Sequence, residues 1–168
     1  MQIEQLHDRH PLWPRCLDHL ARLEMARWIL DDGAMLKPAL YMLCAVTENR
    51  VAGHISLKMQ VITIPMESEH PDAVPLTAPD GRLLRELFVQ TFGMDSDYRR
   101  QGYGRALQLA ALDLGKTFGC YQMRSWSSLD KTANFALKTS LGFAAHPATQ
   151  RTPGGDTVAG VYFVKTIA

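Results

Sequence analysis

The sequence predicts an α/β (α+β) protein, one mixed sheet with helices packed on it, in a single domain over residues 1–168. Three observations predict it. Leu107, Ala111, Leu114 and Phe118 are spaced four, three and four, the stripe of an amphipathic helix. Val51, Ile55, Leu57, Met59 and Val61 alternate with Ala52, His54, Ser56, Lys58 and Gln60, the period of a strand. Along the whole chain the elements read β-α-β-β-β-α-β-α-β-β, an order that demands a sheet with helical cover.

Each element has its own signal. Met1 to Leu6 alternates weakly and predicts a short edge strand. Leu12 to Leu30 predicts one helix, with Leu17, Ala21, Met25 and Trp28 on one face, Pro14 near its start and Gly33 after its end. Leu40 to Val46 is an apolar run of strand length, and the polar turn Thr47-Glu48-Asn49-Arg50 leads into the long third strand, to about Ile64. Pro65 to Arg82 carries four prolines and the acids Glu67, Glu69, Asp72 and Asp80, and reads as an insertion without regular structure. Leu83 to Met94 is a fourth strand, and Gly119 caps the helix that follows. Tyr121 to Ser127 is a fifth strand. Asp130 is placed to cap a helix whose face is Ala133, Ala136, Leu137 and Ser140, ended by Gly142. Two last strands, near 144–150 and 157–165, flank the turn Thr152-Pro153-Gly154-Gly155-Asp156.

Bulk properties exclude several functions. Eighteen Lys and Arg against seventeen Asp and Glu leave a net charge of +1, which excludes a strongly basic nucleic-acid binder and an acidic disordered tail. The longest apolar run, Ala39 to Val46, is too short to span a bilayer, so no membrane partner is expected. The first eight residues lack an apolar signal core, and Cys16, Cys44 and Cys120 are widely spaced. A cytoplasmic protein with no disulfide framework and no metal site is the expectation.

The richest chemistry lies in Arg99-Arg100-Gln101-Gly102-Tyr103-Gly104-Arg105, between a strand and an apolar helix. The first turn of a helix exposes unpaired N–H groups at the positive end of its dipole, so it accepts anions. Gly102 and Gly104 leave the backbone bare for a pyrophosphate, and three arginines surround it. A dinucleotide fingerprint would need glycine where Leu107 stands. A P-loop ending at Gly115-Lys116-Thr117 would need one at Ala110.

From Met94 to Gly104 the strand–turn–helix resembles the acetyl-CoA signature of the GNAT acetyltransferase superfamily, R/Q-x-x-G-x-G/A, met here by Arg99, Gly102 and Gly104. Asn134 to Phe143, with its Leu-Gly-Phe exit, is similar to the family's last helix. The resemblance implies a GNAT-like central mixed, mostly antiparallel sheet, splayed into a V between the fourth and fifth strands, with helices on both faces. It implies acetyl-CoA as co-substrate, with its pantetheine arm in the V and its pyrophosphate on Arg99, Arg100, Gln101, Gly102, Tyr103, Gly104 and Arg105. Backbone N–H groups at a bulge near Gly93 and Met94 would bind the thioester carbonyl.

Catalytic candidates follow from the same resemblance. The family often has a proton-donating tyrosine three residues before the leucine of Leu-Gly-Phe, and here that residue is Lys138. Lys138 would act on the departing thiolate by its charge, or reach a CoA phosphate. Asn134, one turn after the family's usual asparagine position, would face the pantetheine amides. Glu86 shares a strand face with Phe88, Gln90, Phe92 and Met94 and is the leading general base, with His54 a second candidate and His146 a third. The implied function is N-acetyl transfer to a primary amine by direct attack in a ternary complex. The amine would belong to a small molecule rather than a protein, and the enzyme could be a homodimer. The alternative is an acyl-CoA-binding regulatory module on the same fold.

Overall fold

A computed structural model of the chain describes residues 1–65, 71–151 and 155–167. They build one seven-stranded sheet in the order β1-β2-β3-β6-β7-β9-β8, plus a two-stranded ribbon of β4 and β5. The long strands are β1 (Gln2–Leu6), β2 (Leu40–Thr47), β3 (Arg50–Val61), β6 (Arg85–Met94), β7 (Gln122–Ser128), β8 (Ala144–Arg151) and β9 (Thr157–Thr166). The sheet is mixed and mostly antiparallel, as expected. Its parallel pair is β6 with β7.

Helices cover both faces. On one side α3 (Tyr103–Thr117) and α4 (Thr132–Ser140) enclose a core that includes Leu57, Leu87, Leu107, Ala111, Met123 and Phe163. The stripe read from the sequence is the one buried, since Leu107 and Ala111 are fully covered. On the other side α1 (Trp13–Arg22) and α2 (Ala26–Ile29) pack on β1 to β3.

The single helix expected over Leu12–Leu30 is in fact these two. Glu24 takes a left-handed φ of 56°, and the Met25 N–H reaches back to the Leu20 carbonyl. The residues between are good helix formers, so tertiary contact overrides propensity. The break swings Leu23 and Met25 onto Gly93, where an added Cβ would lie 2.7 Å from Leu23 and 3.2 Å from Met25. The buried face also shifts. It is Trp13, Cys16, His19 and Leu20, while Trp28 is exposed. Cys16 and Cys44 bring their free thiols to 3.8 Å inside this layer.

Part of the insertion is ordered. β4 (Thr63–Ile64) pairs with β5 (Val74–Pro75), and Thr77 bridges Leu83. Glu67 and Glu69 lie outside the described residues, as do 152–154 of the last turn. Asp130 does not cap α4: that position is Lys131, and Asp130 bonds to Ser128 and Lys131 instead.

Candidate active site

The parallel pairing of β6 with β7 runs only from Glu86↔Gln122 to Val89↔Ser125. Beyond Val89, β6 stays on β3 and β7 stays on β9, so the two strands splay into the expected V. The cause is local. β6 pairs Thr91 with Ser56 and Val89 with Leu57, leaving Gln90 as an extra residue. A bulge of this kind bends a strand and ends its pairing. It therefore sits at Gln90, at the vertex, and not near Gly93 and Met94 as the sequence suggested.

The ladder also decides which backbone groups face the V. Asp95 donates its N–H to the Ala52 carbonyl, Thr91 donates its own to Ser56 Oγ, and the Met94 carbonyl accepts from Arg99 on the other side. Antiparallel strands alternate inward and outward pairs. Gly93, opposite His54, accordingly turns its N–H toward β3, while Phe92 and Met94 turn theirs away from β3, to the side on which β7 has splayed off. Gly93 also differs from the expected donor in being buried beneath Leu23 and Met25. Its lack of a side chain admits those two residues.

Between the strands lies a cavity of about 230 Å3, walled by Gln90, Thr91 and Phe92 on one side, Ser125 to Ser128 on the other, and Gln108, Asn134 and Lys138 at the back. Several of its polar atoms are buried without partners: Gln108 Nε2, Ser125 Oγ, Trp126 Nε1 and Asn134 Oδ1. Buried polar groups are normally satisfied. Four orphans in one slot suit a ligand that alternates amide donors and acceptors, as pantetheine does.

Lys138 is not the exposed helix lysine that its position could have made it. It is 1% exposed, donates to Gln108 Oε1 at 2.8 Å and lies 4.3 Å from the Phe143 ring centroid. Burial lowers its pKa to about 7, because a charged ammonium loses its water there. Asn134 Nδ2 donates to Ser127 Oγ, which holds its amide in the slot.

The anion cradle forms at the open end. Gly102 caps α3 with a φ of 86°, a left-handed conformation that glycine adopts readily. The early N–H groups of α3, at Tyr103, Gly104 and Arg105, lack helical partners. Gly104 has a second reason to be bare: a Cβ there would lie 3.2 Å from Phe92. Arg99 and Arg100 are exposed, Gln101 bonds to the Asp97 carbonyl, and Arg105 reaches Ser140.

Glu86 and His54 differ from the sequence expectation. Glu86 is fully buried, and Arg124 Nη2 reaches its Oε1 at 2.6 Å while Gln60 and Gln122 donate to the same carboxylate. Arg124 itself lies between the rings of Phe88 and Tyr162. Both carboxylate oxygens are engaged, which opposes the role of a free base. His54 is fully buried between His19 and Thr91 rather than open to the cleft, and burial lowers its pKa to about 3. His146 is exposed on β8. Sequence reasoning missed Thr91, Gln108, Ser125, His19 and Asp95. A glutamine inside an apolar helical stripe and serines at period two in β7 were the available signals for Gln108 and Ser125.

Among the described residues, no group of three or more His, Cys, Asp and Glu is placed to hold a metal ion, and no helix is long and apolar enough to cross a membrane.

The model of the acetyltransferase (GNAT) family matches residues 2–143. Solved structures agree in fold. The chain is similar to Arabidopsis thaliana NAA60 in complex with acetyl-CoA, with a TM-score of 0.74, 14% identity and 99% of each chain covered. It is similar to the ribosomal-protein-S18-alanine N-acetyltransferase from Escherichia coli, with a TM-score of 0.65, 17% identity, 99% of this chain and 94% of that one. It is also similar to aminoglycoside 6'-acetyltransferase type Ii, with a TM-score of 0.66, 17% identity, 100% of this chain and 98% of that one. No curated protein sequence is significantly similar to the chain.

Proposed function

The chain belongs to the GNAT acetyltransferase family, and from that premise we propose that it is an N-acetyltransferase, moving an acetyl group from acetyl-CoA to a primary amine by direct attack in a ternary complex. One observation carries this reading: the splayed β6/β7 slot has orphaned amide and hydroxyl groups inside it and a bare helix N-terminus at its mouth.

Acetyl-CoA supplies an activated thioester. The residues of this chain would do the rest. The N–H groups of Tyr103, Gly104 and Arg105, with the charges of Arg99, Arg100 and Arg105, hold the pyrophosphate. Gln108, Ser125 and Asn134 take up the pantetheine amides with their unpaired atoms. The N–H groups of Phe92 and Met94 face negative charge as it develops on the thioester oxygen, a contribution that typically reaches about 3 kcal/mol per donor. Lys138 gives a proton to the departing sulfur, and a pKa of about 7 suits an acid that must release its proton near neutrality. Glu86 fixes Arg124 at the closed end of the V, where β6 and β7 still pair.

The acceptor is a primary amine, on a small molecule by our reading. Similar folds include one named for a ribosomal-protein alanine and one named for an aminoglycoside, so the fold accommodates acceptors of both sizes. A reducing, cytoplasmic setting suits the three free thiols.

The test is release of free thiol from acetyl-CoA across a panel of polyamines, aminoglycosides, amino acids and peptide N-termini, beside the melting shift given by acetyl-CoA. Amine-dependent release supports the enzyme. A melting shift with no turnover on any amine would make it an acyl-CoA-binding module.

A further inference from the structure

A chain of buried polar groups runs through the sheet on its α1 side. Ser56 Oγ lies 2.7 Å from Thr91 Oγ1. Thr91 Oγ1 lies 3.0 Å from His54 Nε2, and His54 Nδ1 lies 2.9 Å from His19 Nε2. His19 Nδ1 is 2.9 Å from Asp95 Oδ1. The interior is closed: Ser56, His54 and His19 have no exposed surface. The two ends are not. Thr91 lines the cleft beside the bulge at its vertex. Asp95 is 19% exposed and borders a surface pocket with Arg15, Asp18, Arg22, Arg50 and Asp97, bonding Arg22 at 2.7 Å.

We propose that Thr91, His54, His19 and Asp95 form a relay that carries the acceptor amine's proton from the cleft to the surface. The inference rests on the N-acetyltransferase reading. A direct attack on a thioester forms the N–C bond and breaks the C–S bond, and the attacking nitrogen then carries one proton too many. Among the described residues lining the cleft there is no carboxylate to take it. Glu86 is held by Arg124, and Lys138 is assigned to the sulfur.

Donor and acceptor chemistry gives the chain one direction. Asp95, as a carboxylate, can only accept. The 2.9 Å contact is that of an ion pair and is not aligned as a hydrogen bond, but a bare Nδ1 lone pair so close to the carboxylate would be repelled, so His19 carries its hydrogen on Nδ1. Neutral His19 then accepts at Nε2, so His54 donates from Nδ1. Neutral His54 accepts at Nε2, so Thr91 donates its hydroxyl. Every hydrogen in the row lies on the Asp95 side of its donor, and a rotation of His19 or Asp95 aligns the last pair for transfer. A proton arriving at Thr91 Oγ1 displaces the hydroxyl proton to His54 Nε2. His54 passes its Nδ1 proton to His19 Nε2, and His19 passes its own to Asp95. Both imidazoles end neutral with their tautomers exchanged, the amine has lost one proton, and Asp95 has gained one and returns it to solvent. Burial keeps both rings neutral by lowering their pKa values, which suits groups that pass protons and do not store them. Thr91 is the catalytic member, since it alone touches the cleft. His54 and His19 act through it.

Stapling α1 to the sheet would need these hydrogen bonds but no particular tautomer and no transfer. The discriminating variant is therefore His54→Gln, whose amide can bond to Thr91 and His19 but cannot exchange a proton between its ends. Thr91→Val is the second variant, nearly isosteric, in case the first fails to fold. On an amine that the wild type acetylates, kcat should fall 10- to 100-fold in either variant, with the acetyl-CoA dissociation constant unchanged. The proton inventory of kcat in mixed H2O and D2O should go from curved to linear. Imidazole 15N shifts of the wild type at pH 7 should show Nδ1–H tautomers at His19 and His54. Wild-type kcat in a folded variant, an Nε2–H tautomer at His54 or an imidazolium at His19 would each overturn the relay. Failure of the wild type on every amine would instead overturn the acetyltransferase reading, and the relay with it.

Discussion

Arg124 Nη2 meets Glu86 Oε1 at 2.6 Å across the parallel strands β6 and β7, where both side chains are almost wholly buried. The pair closes the narrow end of the V from which the cleft opens. A buried pair that loses one partner typically costs about 3–5 kcal/mol, because a charge is left without its counter-charge.

Glu86→Gln is accordingly expected to act first on stability. The amide keeps its size but leaves one acceptor oxygen where Gln60, Gln122 and Arg124 all donate, and it removes the charge facing Arg124. Urea denaturation should show a loss of roughly 2–4 kcal/mol. Kinetics at temperatures where the variant stays folded should fall by less than the ~100-fold expected on removing a positioned base. A variant as stable as the wild type but inactive would restore Glu86 as the base.

Lys138 should make the protein more stable as pH rises through neutrality. Its pKa is lowered to about 7 by burial, against an ordinary value of 10.5. Below pH 7 it is protonated in both folded and unfolded chains, and the fold bears the full cost of an ammonium in the core. Between about 7 and 10.5 the unfolded chain binds the proton and the fold does not, so unfolding becomes harder by up to about 1.4 kcal/mol per pH unit. Lys138→Met removes that dependence. Its melting temperature relative to wild type should be highest near pH 6 and should decline toward pH 10. A gap that stays constant with pH would show that Lys138 does not titrate in the fold.

How much of this was legible follows the range of the interaction. Strand alternation, the α3 stripe and the glycines of the anion cradle are local signals, and each predicted its element. The GNAT-like turn and the V were carried by the segment from Met94 to Gly104. The break at Glu24 was not legible, because Leu23 and Met25 leave the helix to cover Gly93, about 70 residues away. Glu86 showed a free carboxylate on a strand, and only the register of β6 against β7 reveals Arg124 beside it. His19 and His54 are 35 residues apart and stand on a helix and a strand whose packing no periodicity specifies.

At the cradle, two glycines should fail differently. Gly102 has open space around it but a φ of 86°, so Gly102→Ala meets backbone strain of roughly 1 kcal/mol. Gly104 is helical, where alanine is favoured by about 1 kcal/mol, but its Cβ would press on Phe92 at 3.2 Å. Gly104→Val adds two methyl groups to that contact and should lower both the apo melting temperature and acetyl-CoA affinity. Gly104→Ala should separate the effects, holding stability near wild type while weakening the cofactor several-fold in calorimetry. Unchanged affinity in both would remove the pyrophosphate from this turn.

The last prediction concerns acid. His54 is neutral in the fold, with a pKa lowered to about 3 by burial first and by the neighbouring His19 second. Its ordinary value is 6.5, so at pH 7.5 it is neutral folded or unfolded and contributes no pH dependence. As pH falls below about 6.5 the unfolded chain takes up a proton that the fold excludes. Stability should then drop by up to about 1.4 kcal/mol per pH unit from this residue alone, until the folded ring protonates near pH 3. His19, lowered in the same direction despite the carboxylate of Asp95, adds to the same arm. His54→Gln cannot take up that proton in either state. Its urea midpoint should therefore fall less steeply than that of the wild type between pH 6.5 and 4, even if the variant is less stable at pH 7.5. Parallel slopes for the two proteins would mean that His54 is already protonated in the native state, and would place a charge in the middle of the His19–Thr91 row.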